Sequence, residues 1–121
     1  MENFNMSKHT SFYALGLSYK KADAAIRGKF SLDNQAKSTL LIQAEAEGIE
    51  ALLVTSTCNR TEIYGFAQHP YQLIKLLCEN SNGSVEEFQE VAYIYKNQEA
   101  INHMFRVGTG LDSQILGDFE I

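Results

Sequence analysis

Ala51-Leu52-Leu53-Val54-Thr55-Ser56-Thr57-Cys58-Asn59-Arg60-Thr61-Glu62-Ile63-Tyr64-Gly65-Phe66-Ala67 places one cysteine between two apolar, β-like runs. The residues between them are small and polar, with one arginine, which suits a short loop joining two strands as a hairpin. Strands are therefore expected over Glu50–Ser56 and Glu62–Gln68. A cysteine at such a tip is reachable by a ligand rather than sealed in a core. The thiolate is the reactive form of a cysteine, and a fixed cation nearby favours it. Arg60 is such a cation, and its fork of donors also fits a carboxylate.

Working outward, Ser11–Leu17 reads as a first strand and Ser18–Gly28 as a loop with at most a turn of helix. A helix is expected from Ser31, with Ser31 as N-cap, Ala36, Leu40, Leu41 and Ala44 at helical spacing, and Gly48 at its end. Pro70 suits the first turn of a second helix carrying Leu73, Ile74, Leu76 and Leu77, closed by Asn82-Gly83. Ser84-Val85-Glu86-Glu87 matches a capping box and opens a short helix. Val91–Tyr95 is the fourth strand. Asn97 is expected to cap a last helix with Ala100, Ile101, Met104 and Phe105 on one face. Gly108 and Gly110 interrupt it, and Leu111, Ile115 and Leu116 resume its apolar pattern.

The order is β-α-β-β-α-β plus a C-terminal helix, so the predicted class is α+β, a ferredoxin-like split βαβ. Residues 1–10 read as a flexible tail and 11–121 as one domain. The sequence stops at Ile121 inside an apparently continuing helix without a closing cap, as a fragment would.

The chain has 121 residues, 45% hydrophobic and 21% charged, which is globular composition. A net charge of −5 argues against a general nucleic-acid binder. Lys20, Lys21, Arg27 and Lys29 nevertheless crowd together as a solvated cationic face where local binding stays open. The two cysteines, Cys58 and Cys78, lack the spacing of a disulfide framework or a zinc site, so no metal is expected. Cys78 reads as a small buried hydrophobe beside a helix face. The N-terminus lacks a signal-peptide pattern, and no apolar run nears the ~18 residues of a membrane span. The protein is expected in the cytoplasm.

Cys58 is the leading nucleophile candidate and His103, beside Ile101 and Met104, its natural partner. His9 and His69 are weaker. Arg60 and Arg106 are candidate anion ligands. Gly108-Thr109-Gly110 resembles half of a phosphate loop but follows a helix, whereas a dinucleotide fingerprint follows a strand.

Three blocks, in order, carry a resemblance. Ser56–Tyr64 closely resembles the S-T-C-N-R-T-E-x-Y signature of the glutamyl-tRNA reductase family. His103–Gly117 is similar to that family's H-L-x-R-V-A-S-G-L-D-S-x-x-L-G, and Gly16–Ala22 resembles its G-x-N-H-K-T-A segment. Together they span the chain from about Tyr13 to its end. The resemblance implies the N-terminal catalytic domain, ferredoxin-like in fold, of an enzyme in tetrapyrrole synthesis.

It implies Cys58 as the nucleophile that takes the glutamyl group from glutamyl-tRNA as a thioester. Hydride from NADPH, bound by a domain absent from this chain, then gives glutamate-1-semialdehyde. Arg60 is implied to grip the substrate's side-chain carboxylate, with Thr57, Asn59 and Ser113 adding polar contacts. His103 is implied as carbonyl polariser or proton donor. Implied partners are glutamyl-tRNA, a second copy joined through absent C-terminal helices, and the aminomutase that uses the semialdehyde.

The first block departs from the family at Tyr19, Lys21 and Asp23, which replace histidine, threonine and proline. Gly117-Asp118-Phe119-Glu120-Ile121 stands where G-E-P-Q-I is common, placing Asp118, Phe119 and Glu120 beside the substrate pocket. The rival class is a ferredoxin-like RNA- or ligand-binding module, with Phe12, Tyr93 and Tyr95 as stacking residues. Such a module needs neither Cys58 nor His103, so thiol reactivity separates the two.

Overall fold

The computed structural model describes residues 9–108 and the backbone of 113–116. The elements run β1 (Ser11–Ser18), α1 (Ala24–Phe30), α2 (Asn34–Ala46), β2 (Leu52–Ser56) and β3 (Arg60–Ala67). They continue with α3 (Pro70–Glu79), α4 (Val85–Val91), β4 (Tyr93–Lys96), α5 (Gln98–Val107) and β5 (Ser113–Leu116). The class is α+β, as expected. The strands form one sheet in the order β4-β1-β3-β2-β5, every neighbouring pair antiparallel. β1 and β2 both oppose β3, so they run parallel to each other with β3 between them.

Strand side chains alternate between faces. Leu15, Leu17, Ile63, Leu52 and Val54 lie on one face, in the larger core with Phe30, Leu40, Leu73, Leu76, Leu77 and Phe88 from the helices. The opposite face carries Phe12, Ala14, Leu53 and Tyr64, which α5 covers with Ala100 and Met104. With both faces covered, β1 is buried from Phe12 through Ser18. This accounts for its continuous apolar run.

The differences from expectation lie in capping and at the C-terminal end. The Ser18–Gly28 loop instead contains the start of α1, whose N-cap Asp23 accepts the Ile26 N–H at 2.9 Å. Only Phe30 of α1 is buried, too little to write a periodic pattern. Ser31 closes α1, its N–H bonded to the Gly28 carbonyl, and does not open the next helix. Asp33 caps α2, accepting from Ala36 N–H at 2.8 Å.

Pro70 begins α3 as expected, but the capping side chain is His69, in a reciprocal box with Gln72. The Ser84 box of α4 is present as read. Asn97 occupies the N-cap position of α5 without a side-chain cap. Its Oδ1 instead accepts the Phe12 N–H at 3.0 Å, fastening the helix start to β1.

The last helix ends at Val107, where Gly108 adopts a left-handed φ of 62°. Residues 113–116 do not resume it. They form β5 along the free edge of β2, which supplies hydrogen-bond partners that a four-residue helix would lack. Residues 1–8, within the expected tail, lie outside the described residues.

Candidate active site

The β2–β3 hairpin turns through Cys58 and Asn59. Thr57 and Arg60 exchange backbone hydrogen bonds at 2.8 and 3.4 Å, and Thr57 Oγ1 accepts the Asn59 N–H at 3.3 Å. Two further ties reach the turn from the chain after β1. Tyr19 N–H donates to the Asn59 carbonyl at 3.0 Å. Arg27 of α1 donates through Nε to the Cys58 carbonyl at 3.1 Å and through Nη1 to the Ala22 carbonyl at 2.7 Å. The Cys58 thiol is exposed, so its backbone is held while its sulfur faces outward.

One strand turn further on, a carboxylate is almost completely enclosed. Glu62 is 1% exposed and lies beside Tyr64, opposite Gly16 of β1. A Cβ at Gly16 would stand 2.2 Å from the Thr61 carbonyl and 2.9 Å from Glu62 Cγ, so glycine there permits the close approach. Glu62 Oε1 accepts from Tyr64 at 2.8 Å. Its Oε2 accepts from the Tyr93 hydroxyl, from Arg60 Nη1 at 3.4 Å, and pairs with His103 Nε2 at 2.5 Å. A buried carboxylate is costly unless its lone pairs are satisfied. Here β3, β4 and α5 supply the partners that satisfy it, and Gly16 of β1 leaves the room.

His103 is 6% exposed and is held by rings as well. Its centroid lies 4.9 Å from Tyr93, 4.8 Å from Tyr95 and 6.3 Å from Tyr64. Burial and the adjacent Glu62 carboxylate push the Tyr64 and Tyr93 hydroxyls far above the usual phenol range. Both stay protonated and act as donors to Glu62. Burial works against the Arg60 charge, but Tyr93 and Glu62 together outweigh it and raise its pKa.

Of the residues singled out in the sequence, Arg60 and His103 meet at Glu62, while Cys58, Thr57 and Asn59 form the turn that leads into Arg60. Ser113 pairs with Thr55 through the β5–β2 ladder; its side chain, and Asp118, Phe119 and Glu120, lie outside the described residues. Arg106 is exposed on α5. His69 is a helix cap. The cationic cluster divides: Lys29 pairs with Glu87 at 2.5 Å and Arg27 holds the turn, while Lys20 and Lys21 are exposed. No group of three or more metal-ligating side chains occurs among the described residues. None of the described helices is long and apolar enough to cross a membrane.

The sequence reading missed Glu62, Tyr64, Tyr93 and Arg27 as parts of this arrangement. A signal for Glu62 was present: a charged residue inside an apolar strand, two residues from a tyrosine on the same face, needs a buried partner.

A family model described as the Glutamyl-tRNAGlu reductase N-terminal domain matches residues 15–121. The chain belongs to the glutamyl-tRNA reductase family. It is 84% identical over all 121 residues to glutamyl-tRNA reductase 2 of Flavobacterium johnsoniae, covering 28% of that protein. Against the glutamyl-tRNA reductase of Acinetobacter baumannii it is 38% identical over 112 residues, 92% of this chain and 26% of the relative. The chain therefore spans little more than a quarter of the curated relatives it matches. The solved structure of glutamyl-tRNA reductase from Methanopyrus kandleri shares its fold, with a TM-score of 0.59. That match is 20% identical and covers 79% of this chain and 21% of the other.

Membership in this family weakens the binding-module alternative, and so does the geometry. Tyr93 and Tyr95 pack on His103 of α5 instead of presenting an open stacking platform.

Proposed function

We propose that this chain is the acyl-accepting, N-terminal catalytic domain of an NADPH-dependent glutamyl-tRNA reductase in tetrapyrrole synthesis, with the ferredoxin-like split βαβ arrangement. The strand order β4-β1-β3-β2, with β1 and β2 parallel about β3, supports the fold assignment. The observation that carries the activity is the exposed Cys58 thiol on a turn whose backbone is fixed from three sides.

In this reading the Cys58 thiolate attacks the glutamyl ester carbon. A sulfur–carbon bond forms, the bond to the tRNA ribose oxygen breaks, and that oxygen leaves with a proton. Arg60 receives the glutamyl side-chain carboxylate, with Thr57, Asn59 and Ser113 as polar neighbours and Asp118, Phe119 and Glu120 bordering the pocket. His103, oriented by Glu62, polarises the carbonyl or supplies the leaving-group proton.

The family reading adds reduction of the thioester by NADPH. The described residues contain no strand-to-helix glycine loop to cradle a dinucleotide, so the hydride step is not assigned to them. The same reading gives glutamyl-tRNA, a second enzyme copy and the semialdehyde-consuming aminomutase as partners, in a cytoplasm that keeps Cys58 reduced.

The test is intact mass after mixing the chain with glutamyl-tRNA without NADPH, beside Cys58→Ser. A glutamyl adduct on the native protein alone is expected. Equal adducts on both would remove Cys58 as acceptor. If the chain stays unmodified, the measurement moves to a relative-length enzyme, and silence there would end the catalytic assignment.

A further inference from the structure

The geometry points to Tyr93 as the positioning residue that orients Arg60 for the side-chain carboxylate of the acyl substrate. This rests on the acyl-transfer reading above and extends it to a residue of β4.

An arginine can fork a carboxylate along its Nε/Nη2 edge, provided the plane of the guanidinium is fixed. Arg60 stands 24% exposed at the side chain. Its hydrogen bonds among the described residues all leave from Nη1, to Tyr93 Oη at 3.2 Å and Glu62 Oε2 at 3.4 Å. The Tyr93 hydroxyl and Glu62 Oε2 are themselves hydrogen-bonded, so the two acceptors stand side by side in front of Nη1. The Nε/Nη2 edge is left without a partner among the described residues.

Tyr93 sets that arrangement because of the direction of its own proton. Glu62 accepts and Arg60 only donates, so the Tyr93 hydroxyl donates to Glu62 and turns a lone pair to Nη1. Glu62 alone would leave Arg60 a single, long contact at 3.4 Å. Tyr93 supplies a second and closer acceptor, at 3.2 Å, that holds the Nη1 end in place. Its ring is itself seated 4.9 Å from His103 and 5.4 Å from Tyr95, and β4 is paired to β1 at Gly16↔Tyr93. One hydroxyl thus ties the carboxylate-binding arginine to the buried Glu62–His103 pair.

The experiment compares acylation of Cys58 by two small probes, the benzyl α-thioesters of glutamate and of glutamine, followed by intact mass. In each case the Cys58 sulfur–carbon bond forms as benzyl thiol departs with the proton. The native chain is expected to prefer the glutamyl probe. Tyr93→Phe keeps the ring and removes only the hydroxyl, and should lower the glutamyl-to-glutaminyl rate ratio on the order of tenfold. Tyr95→Phe, whose lost hydroxyl bonds nothing among the described residues, should retain the native ratio.

A native ratio in Tyr93→Phe, or an equal loss in Tyr95→Phe, would overturn the role of Tyr93 while leaving acylation intact. A native chain acylated at Cys58 without preference would do the same. No adduct at Cys58 in the native chain would overturn the acyl-transfer reading and this inference together.

Discussion

Glu62 Oε2 stands 2.5 Å from His103 Nε2, joining β3 to α5 across 41 residues of sequence with both side chains buried. A carboxylate on one imidazole nitrogen fixes the ring's orientation and tautomer, as in the acid–histidine pairs of acyl-transfer enzymes. It also makes Glu62 the acceptor on which Tyr64, Tyr93 and Arg60 converge.

Glu62→Gln keeps the shape but leaves one acceptor oxygen and adds two donors where four donor side chains meet. We expect a loss of roughly 2–4 kcal/mol in unfolding free energy. Urea unfolding followed by circular dichroism measures it, since the chain has no tryptophan. A variant within about 0.5 kcal/mol of native would mean that the network tolerates a neutral group at its centre.

Arg27 makes the second prediction. Its guanidinium spans the Ala22 and Cys58 carbonyls, and Arg27→Ala removes both ties at once. The Cys58–Asn59 turn should then exchange its amide protons faster, and acylation of Cys58 should fall on the order of tenfold. Arg27→Lys reaches one carbonyl only and should recover part of the rate. Unchanged exchange at the turn in Arg27→Ala would show that the Thr57–Arg60 ladder holds it unaided.

The hairpin, the crossing helices and the exposed turn position of Cys58 were legible because local rules govern them. Alternating apolar runs, a cap box at Ser84 and a small polar turn are written in neighbouring residues. Glu62's partners were not legible in that way, since Tyr93 and His103 come from 31 and 41 residues away. The ends of helices misled for a related reason. Ser31, Asp33 and Asn97 are all good caps locally, but Ser31 closes α1 on the Gly28 carbonyl and the Asn97 side chain serves the Phe12 amide instead of its own helix. Residues 113–116 carry an apolar pattern too short to separate helix from strand, and the open edge of β2 decided it.

The two thiols should react unequally. Cys58 is exposed, whereas Cys78 is half-buried and its pKa is pushed up to about 11, by burial first and then by Glu86, Glu79 and Glu87. Limited iodoacetamide at pH 8 is expected to modify Cys58 at least tenfold faster, because the thiolate is the nucleophile. Peptide mass mapping reads the site. Comparable labelling of Cys78 would require α3 to open far more readily than its buried Leu73, Leu76 and Leu77 suggest.

Alkaline stability tests the tyrosines. Tyr64 is fully buried, and burial with the Glu62 carboxylate raises its folded-state pKa well above the ordinary 10. Above that ordinary value the unfolded chain sheds the Tyr64 proton and the folded chain keeps it. Its contribution is therefore fully present below pH 10 and is lost as the pH rises toward the folded-state value. Between pH 10 and 12 the native protein should lose stability more steeply than Tyr64→Phe, by up to about 1.4 kcal/mol per pH unit. Parallel slopes would show that Tyr64 ionises as easily folded as unfolded.

Gly16 tests the close approach that lets Glu62 sit where it does. The Cβ of an alanine there would lie 2.2 Å from the Thr61 carbonyl oxygen and 2.9 Å from both Glu62 Cα and Cγ. Two of these atoms are backbone of the paired strand, so no side-chain rotation relieves the clash, and β1 must move away from β3. We expect Gly16→Ala to cost about 1–3 kcal/mol by overpacking and to slow acylation, because the strands separate at Glu62 itself. Gly28→Ala is the matched control: it lies within α1 with nothing within 4 Å of the added Cβ. Alanine's helix propensity makes that change neutral or stabilising by about 0.5–1 kcal/mol. Thermal unfolding of the two variants decides the matter. A Gly16→Ala protein as stable as Gly28→Ala would mean that β1 and β3 can separate at Glu62 without cost.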